Sequence, residues 1–247
     1  MMFQRRAIHT ALAALLLCSC LATSHAWAAD PPAKIRIVVI GDSTVASYPN
    51  PPADRPDLTG WGQVIDEFLT DRATVFNHAR SGRSSKSFIR EGLWKKALAP
   101  KPDYVLIQFG HNDCPGKKER STDAKTDFRD YLRTYIDESR AADAKPVLVT
   151  PMTRFRFVDG KINSILRPYA DAMLVVGKEK NVPVVDLHKA SVVVLNKLGD
   201  TASRDLRPSD GDRTHFSRKG ALAMARLVSA GLREVEPRLR GYLRVGE

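Results

Sequence analysis

Short apolar runs alternate with amphipathic segments along most of the chain. Runs rich in branched residues occupy five stretches, at 35–40, 74–77, 104–109, 147–150 and 182–185. Apolar residues recur with helical spacing near 61–70, 90–98, 125–142, 162–180 and 219–232. Nearly continuous apolar strands separated by amphipathic helices are typical of a parallel sheet covered on both faces. The pattern predicts a three-layer, flavodoxin-like α/β sandwich with a five-stranded parallel sheet, whose last helix is capped by Ser217.

A different pattern marks the N-terminus. Arg5 and Arg6 precede an apolar run at 11–20, and the Ala-Trp-Ala sequence at 26–28 fits the small-x-small rule for signal peptidase. The apolar run is too short for a membrane anchor. We therefore predict a secretory signal peptide over residues 1–28 and an exported protein, periplasmic or secreted after cleavage. A buried N-terminal helix is the alternative.

The mature chain, 29–247, is predicted to form a single domain. Cleavage near Ala28 removes Cys18 and Cys20 and leaves Cys114, so no internal disulfide can form. Lipid attachment at Cys20 is a lesser alternative to simple cleavage. About 220 residues are enough to build one α/β core without such crosslinks.

The charge of the full chain is +11, with 39 Lys+Arg against 28 Asp+Glu. The leader carries two arginines and no acid, so the mature chain keeps +9. Such a surface suits an anionic polysaccharide, an anionic membrane surface or nucleic acid. The basic residues are scattered and the protein is expected to be exported, so we predict no nucleic-acid partner, no stable membrane association and a monomer.

Polar segments follow the predicted strands. They are 41–43 after the first, 81–84 after the second, 110–113 after the third, and 212–215 before the last helix. Ligands of open parallel sheets bind beyond the carboxyl ends of the strands, so all four segments are expected at one edge. Taken alone, each segment also has the composition of an ordinary turn or helix cap. Their convergence on one edge favours a functional site.

The side chains of these segments suit acyl transfer. A serine hydroxyl becomes a nucleophile when an imidazole held by a carboxylate takes its proton, and Ser43, His215 and Asp212 supply these groups. An oxyanion would need donors, for which the candidates are the backbone N–H groups of Ser43 and Gly82 and the side-chain amide of Asn112. No cluster of Cys and His suggests a metal, and we expect no cofactor.

At these blocks the chain resembles the SGNH, or GDSL-type, hydrolases. The matching stretches are GDST at Ser43, SGRS at Gly82, GHND at Asn112 and DRTH ending at His215. The resemblance implies a flavodoxin-like fold, Ser43 as nucleophile, His215 as base with Asp212 as its partner, and Ser43, Gly82 and Asn112 as oxyanion donors.

Within that superfamily, GDSTVA, GWGQ, GRSSKSFIREG and FGHND are similar to the rhamnogalacturonan acetylesterase branch. That branch removes acetyl groups from the pectin backbone. Arg213 and Phe216, beside the candidate histidine, differ from it. Arg83 and Arg90 are candidate substrate-binding residues, and a structural ion pair is the alternative for Arg90.

The main hypothesis is an exported carboxylic ester hydrolase, a carbohydrate acetylesterase acting on acetylated polysaccharide or oligosaccharide, pectic rhamnogalacturonan in particular. An acylhydrolase of xylan, small esters or lipids is the alternative enzyme. A non-catalytic polysaccharide-binding protein would be expected to lack one of the three candidate catalytic groups, and none is missing. A flavodoxin-like nucleotide binder would need a phosphate loop, which does not follow the first strand.

Overall fold

The computed structural model describes residues 33–244. Its strands are β1 (Ile35–Gly41), β2 (Ala73–Asn77), β3 (Tyr104–Gln108), β4 (Lys145–Val149), β5 (Phe157–Val158), β6 (Lys161–Ile162) and β7 (Val184–Val185). Five of them form one sheet in the order β2-β1-β3-β4-β7, with every neighbouring pair parallel. This is the flavodoxin-like strand order. The predicted fold class and five-stranded sheet are confirmed.

Helices cover both faces of this sheet. They are α1 (Trp61–Val64), α2 (Ser85–Arg90), α3 (Leu93–Leu98), α4 (Asp127–Ala141), α5 (Arg167–Glu179), α6 (Leu187–Ala202) and α7 (Arg218–Val235). Alternate residues of β1 point to opposite faces: Ile37 and Val39 pack with α1, α6 and α7, whereas Val38 and Ile40 pack with α2 to α5. Burial on both faces is why the strands are almost continuously apolar.

Four predicted elements differ from the structure. The helix expected at 61–70 is an α-helix only over Trp61–Val64 and continues as a 3-10 helix over Ile65–Phe68. The helix expected at 90–98 begins only at Leu93, because Gly92 adopts a left-handed conformation (φ +69) that separates α3 from the preceding short helix α2. The helix expected at 162–180 begins only at Arg167, since the preceding residues form the β5–β6 hairpin around Asp159 and Gly160, both at positive φ. The last strand of the sheet is shorter than the predicted 182–185.

Helix α6 was absent from the prediction. Its middle carries three consecutive valines, Val192 to Val194, and β-branched residues favour strands over helices. Tertiary packing of Leu187 and Leu195 against the sheet decides in favour of the helix.

The predicted leader, residues 1–28, lies outside the described residues together with Cys18 and Cys20. Within residues 33–244, no helix is long and apolar enough to cross a membrane. The same span contains no group of three or more His, Cys, Asp or Glu side chains arranged to hold a metal ion. Cys114 is buried and its thiol donates to the carbonyl of His111.

The first turn of α7 packs closely against the backbone of Leu206. As predicted, Ser217 is the N-cap, and its Oγ accepts a hydrogen bond from the backbone N–H of Gly220 at 3.1 Å. The backbone N–H of Ser217 donates to the carbonyl of Leu206 at 3.0 Å. A Cβ at position 220 would stand 2.1 Å from that same carbonyl oxygen. Glycine is therefore required at this position, five residues after His215.

We expect Gly220→Ala to lower the free energy of unfolding by about 1–3 kcal/mol, because the added methyl group overlaps the Leu206 backbone. In an unobstructed helix the same change would stabilise by up to about 1 kcal/mol. Urea unfolding measures the difference. Gly211→Ala is the control, since a Cβ there has no neighbour within 4 Å. Equal stability of Gly220→Ala and the wild type would contradict the packing of α7.

Candidate active site

The turn after β1 holds Ser43 through a buried carboxylate. Oδ1 of Asp42 accepts hydrogen bonds from the backbone N–H of Thr44 at 2.9 Å and from its hydroxyl at 2.8 Å. Burial raises the pKa of Asp42 against these two hydrogen bonds. Gly41 is required before it, since a Cβ would lie 2.7 Å from the carbonyl oxygen of Gln108. The Gly-Asp-Ser sequence is thus a tightly packed turn that presents the serine at the strand's end.

A row of buried hydrogen bonds ties this turn to the neighbouring strand. The indole N–H of Trp61 donates to Oε1 of Gln108 at 2.8 Å, and Nε2 of Gln108 donates to the hydroxyl of Thr44 at 2.7 Å. The hydroxyl of Tyr48 donates to the backbone carbonyl of Ser43 at 2.8 Å. These positioning residues were not predicted: the contacts of Gln108 join segments distant in sequence, and the contact of Tyr48, five residues from Ser43, follows no local motif.

Ser43, His215 and Asp212 lie in hydrogen-bonded sequence. Nε2 of His215 is 2.9 Å from Oγ of Ser43, and Nδ1 is 2.8 Å from Oδ2 of Asp212. The structure therefore brings together the three side chains that the sequence grouped, although 172 positions separate the serine from the histidine. The arrangement can pass the serine proton to an imidazole whose orientation is fixed by a carboxylate.

The carboxylate of Asp212 is held in its ionised form. Burial alone would raise the pKa of Asp212, but hydrogen bonds from the ring and backbone of His215 and from the backbone of Thr214 outweigh burial and keep that pKa well below its usual range. The guanidinium of Arg55, from the proline-rich loop, lies 3.3 Å from Oδ2 of Asp212. Arg55 was not predicted as a site residue, since only tertiary structure brings it near.

A second histidine at the same edge is excluded as the base. His111 is buried, and burial holds its pKa well below the usual range. Neither of its ring nitrogens has a hydrogen-bond partner within residues 33–244. His215, which contacts both Ser43 and Asp212, is the histidine with the geometry of a general base.

Two of the three candidate oxyanion donors, Gly82 and Asn112, belong to loops that contact one another. Nδ2 of Asn112 donates to the carbonyl of Arg83 at 3.1 Å, which orients the amide toward the turn containing Gly82. Gly82 adopts φ +79, a left-handed conformation favoured by glycine, and its carbonyl accepts from Arg120 at 2.7 Å. The backbone N–H of Arg80 donates to the carbonyl of Gly41 at 3.0 Å, so this turn is also fastened to the strand before Ser43.

Asp113 anchors the loop that carries Asn112. Its carboxylate accepts from the backbone N–H of Gly110 at 3.0 Å, from the hydroxyl of Thr122 at 3.1 Å, and from both the backbone N–H and the hydroxyl of Ser85. Burial raises the pKa of Asp113 to about 7, although these hydrogen bonds oppose the shift. The residue joins the third strand's loop to the start of α2.

Two predicted substrate-binding arginines lie on or beside α2. Nε of Arg83 is 2.8 Å from the carboxylate of Glu91, and its Nη1 donates to the carbonyl of Ser81 at 3.0 Å. The charge of Arg83 is therefore locally balanced. Arg90 is exposed at the end of α2 and forms no ion pair with any other described residue, so the structural ion pair considered for it is not seen. A role for either arginine in substrate binding stays a prediction.

Comparison with known proteins decides the family. The model of the GDSL-like lipase/acylhydrolase family matches residues 39–223, which include all four blocks of the site. The chain belongs to this family. The resemblance to SGNH, or GDSL-type, hydrolases is thereby confirmed, and so is the prediction that the protein is an enzyme that hydrolyses esters.

Named relatives of this GDSL-like hydrolase include carbohydrate esterases. Rhamnogalacturonan acetylesterase RhgT of Bacillus subtilis is 39% identical over 225 residues, covering 85% of this chain and 94% of that protein. A probable rhamnogalacturonan acetylesterase of the same organism, YesY, is 36% identical, covering 81% and 93%. An acetylxylan esterase of Xylanibacter ruminicola is 25% identical, covering 81% of this chain and 43% of that protein. The similarity to the rhamnogalacturonan acetylesterase branch is confirmed by the first two.

Solved structures agree with this assignment. The crystal structure of YxiM from Bacillus subtilis superposes with a TM-score of 0.72 at 29% identity, covering 85% of this GDSL-like chain. The chain spans 59% of the YxiM chain. An acetylxylan esterase from Geobacillus stearothermophilus superposes with a TM-score of 0.63 at 23% identity, covering 83% of this chain and 96% of that one, and shows the shared fold alone.

The buried carboxyl group of Asp113 should make the protein less stable as the pH rises. A pKa of about 7 in the folded state lies above the ordinary 3.8, so folding binds a proton between these values and the free energy of unfolding falls as pH rises through them. Asp113→Asn removes this titration. From about pH 5 to about pH 8, the free energy of unfolding of the wild type should fall by about 1–3 kcal/mol relative to that of the variant, as measured by urea unfolding. If the free energy of unfolding of the wild type instead rose with pH relative to that of the variant, this assignment would be contradicted.

Proposed function

We propose that this protein is a serine acetylesterase that removes acetyl groups from acetylated carbohydrate, with pectic rhamnogalacturonan as its substrate. The observation that carries the proposal is the continuous hydrogen-bonded row from Ser43 through His215 to Asp212, at 2.9 and 2.8 Å. Membership of an acylhydrolase family supports ester hydrolysis, and the names of RhgT and YesY support the pectic substrate.

In the proposed mechanism, His215 removes the proton from the hydroxyl of Ser43 as the serine oxygen attacks the acetyl carbonyl carbon. The negative charge on the former carbonyl oxygen is stabilised by the backbone N–H groups of Ser43 and Gly82 and by the amide of Asn112. The imidazolium of His215, stabilised by Asp212, then protonates the departing sugar oxygen. Water, activated by the same imidazole, hydrolyses the acetyl-enzyme and restores the serine.

We further propose that the protein works outside the cytoplasm, as a monomer and without a metal or other cofactor. Export rests on the basic, apolar and small-residue pattern of residues 1–28. Mass spectrometry of the protein recovered from the periplasm or medium should find an N-terminus at Ala29. An N-terminus at Met1 would contradict cleavage, and one at a lipid-modified Cys20 would favour the lipoprotein alternative.

Ser43→Ala should lower kcat on 4-nitrophenyl acetate by about 10⁴-fold or more, because it removes the attacking oxygen. His215→Ala should be comparably damaging. The double variant should be no more than about tenfold worse than the worse single variant, since the two groups act as one unit. Ser47→Ala is the control, an exposed serine of the same loop whose change should be under about twofold. A double variant whose loss of kcat equals the product of the two single losses would contradict the shared mechanism.

The substrate is tested by acetate release from acetylated rhamnogalacturonan, acetylxylan and long-chain esters. We expect the highest kcat/KM on rhamnogalacturonan. Because galacturonate is anionic and the mature chain is strongly basic, this value should fall several-fold as salt rises and screens the attraction, while that on neutral acetylxylan should hardly change. Equal salt responses, or better activity on xylan or long-chain esters, would reject the pectic substrate and leave a general esterase.

A further inference from the structure

A pocket of about 320 Å³ lies beside the loop that carries His215. One wall is formed by Arg213 and Thr214 of that loop, and the other by the segment 154–165, which includes the β5–β6 hairpin. The backbone N–H of Phe155 donates to the carbonyl of Arg213 at 2.9 Å, which joins the two walls. Its volume is within the range of small-molecule sites. The pocket is therefore a built feature and takes no part in the mechanism described above.

The pocket is connected to the reactive groups on both sides. The backbone N–H of Thr214 donates to Oδ1 of Asp212 at 2.8 Å. Nη2 of Arg154, from the opposite wall, donates to the carbonyl of His111 at 3.0 Å, the residue directly before Asn112. The walls of the pocket are therefore bonded to the two loops that carry His215 and Asn112.

The charges that line the pocket do not balance. Arg154, Arg156 and Arg213 contribute three guanidinium groups, and the single carboxylate is that of Asp200. Asp200 pairs with Arg213 at 3.1 Å and also with Arg207, which is buried outside the pocket lining. Neither Arg154 nor Arg156 forms an ion pair with another residue of the described span 33–244, and Nε of Arg154 is buried without a hydrogen-bond partner. The pocket thus has unneutralised positive charge.

The rest of the lining suits a sugar ring. Phe157 and Ile165 contribute apolar surface, and Ile165 is 40% exposed. Asn163 adds an amide with both donor and acceptor atoms. Apolar surface beside guanidinium groups matches an acidic sugar, whose ring has an apolar face and whose carboxylate accepts two parallel hydrogen bonds from an arginine.

We propose that this pocket is a subsite for the carboxylate of a uronate residue in the same polysaccharide chain as the acetylated sugar. The proposal rests on the proposed function, since it specifies why an acetylesterase of this form would select an acidic polymer. It assigns selectivity to Arg156, which forms no ion pair within the described span 33–244, and to Arg213, whose partner Asp200 is shared with Arg207. The charge of Arg83, by contrast, is balanced by Glu91. A neutral xylan chain would gain nothing from the pocket.

The test is inhibition of 4-nitrophenyl acetate hydrolysis by unacetylated oligogalacturonate, compared with a neutral oligogalactose of equal length. The acidic oligomer should inhibit the wild type competitively, with a Ki at least tenfold below that of the neutral one. Arg156→Gln and Arg213→Gln should each raise the Ki of the acidic oligomer about tenfold, and Arg156→Lys should restore part of the loss. The Ki of the neutral oligomer should stay constant throughout.

Arg36→Gln is the matched control, because Arg36 has a similar exposed fraction to Arg213 (48% against 51%) and is likewise paired with one aspartate, but lies at the opposite edge of the sheet. It should change either Ki by less than twofold. Equal inhibition by both oligomers, or equal effects of Arg36→Gln and Arg156→Gln, would overturn the subsite. Acid-selective inhibition without acetate release from acetylated pectin would instead overturn the proposed function and leave the subsite standing.

Discussion

A buried row of hydrogen bonds at the end of β1 fixes the point on which the rest of the site depends. It runs from Trp61 through Gln108 and Thr44 to the carboxylate of Asp42. Each member is buried, so loss of any partner would leave a polar group unsatisfied at a cost of about 1–3 kcal/mol. The row therefore behaves as one unit, and it sets the position of Ser43 relative to β3 and to α1.

The other parts of the site are fastened to that point in a definite order. The loop after β2 bonds to Gly41, and the loop after β3 is held by the carboxylate of Asp113 and contacts the carbonyl of Arg83. His215 lies on the loop that precedes the capped first turn of α7. In a parallel sheet these segments lie at a common edge, and the buried polar contacts fix their positions relative to one another.

Local sequence patterns predicted the sheet and most of the site residues. The residues that were not predicted act mainly through contacts between segments distant in sequence. Continuous apolar runs identified the sheet, and the polar residues after them identified Ser43, Asp212 and His215, because strand ends in a parallel sheet share an edge. Gln108 and Arg55 act through partners far along the chain, and no local pattern indicates them. The valine run in α6 favoured a strand locally, and only packing on the sheet made it a helix. The pocket was likewise not predicted, since Arg154 and Arg213 are brought to its lining only by the fold.

Covalent labelling tests the central claim, that the buried turn presents Ser43 as the reactive oxygen. The wild-type protein is treated with an organophosphate ester that phosphorylates activated serines, and its intact mass and peptide map are recorded. The account predicts one added phosphoryl group, located on Ser43, with loss of esterase activity in proportion to labelling and no label on His215→Ala. Full inactivation with the label on another residue, or activity that survives complete labelling of Ser43, would contradict it.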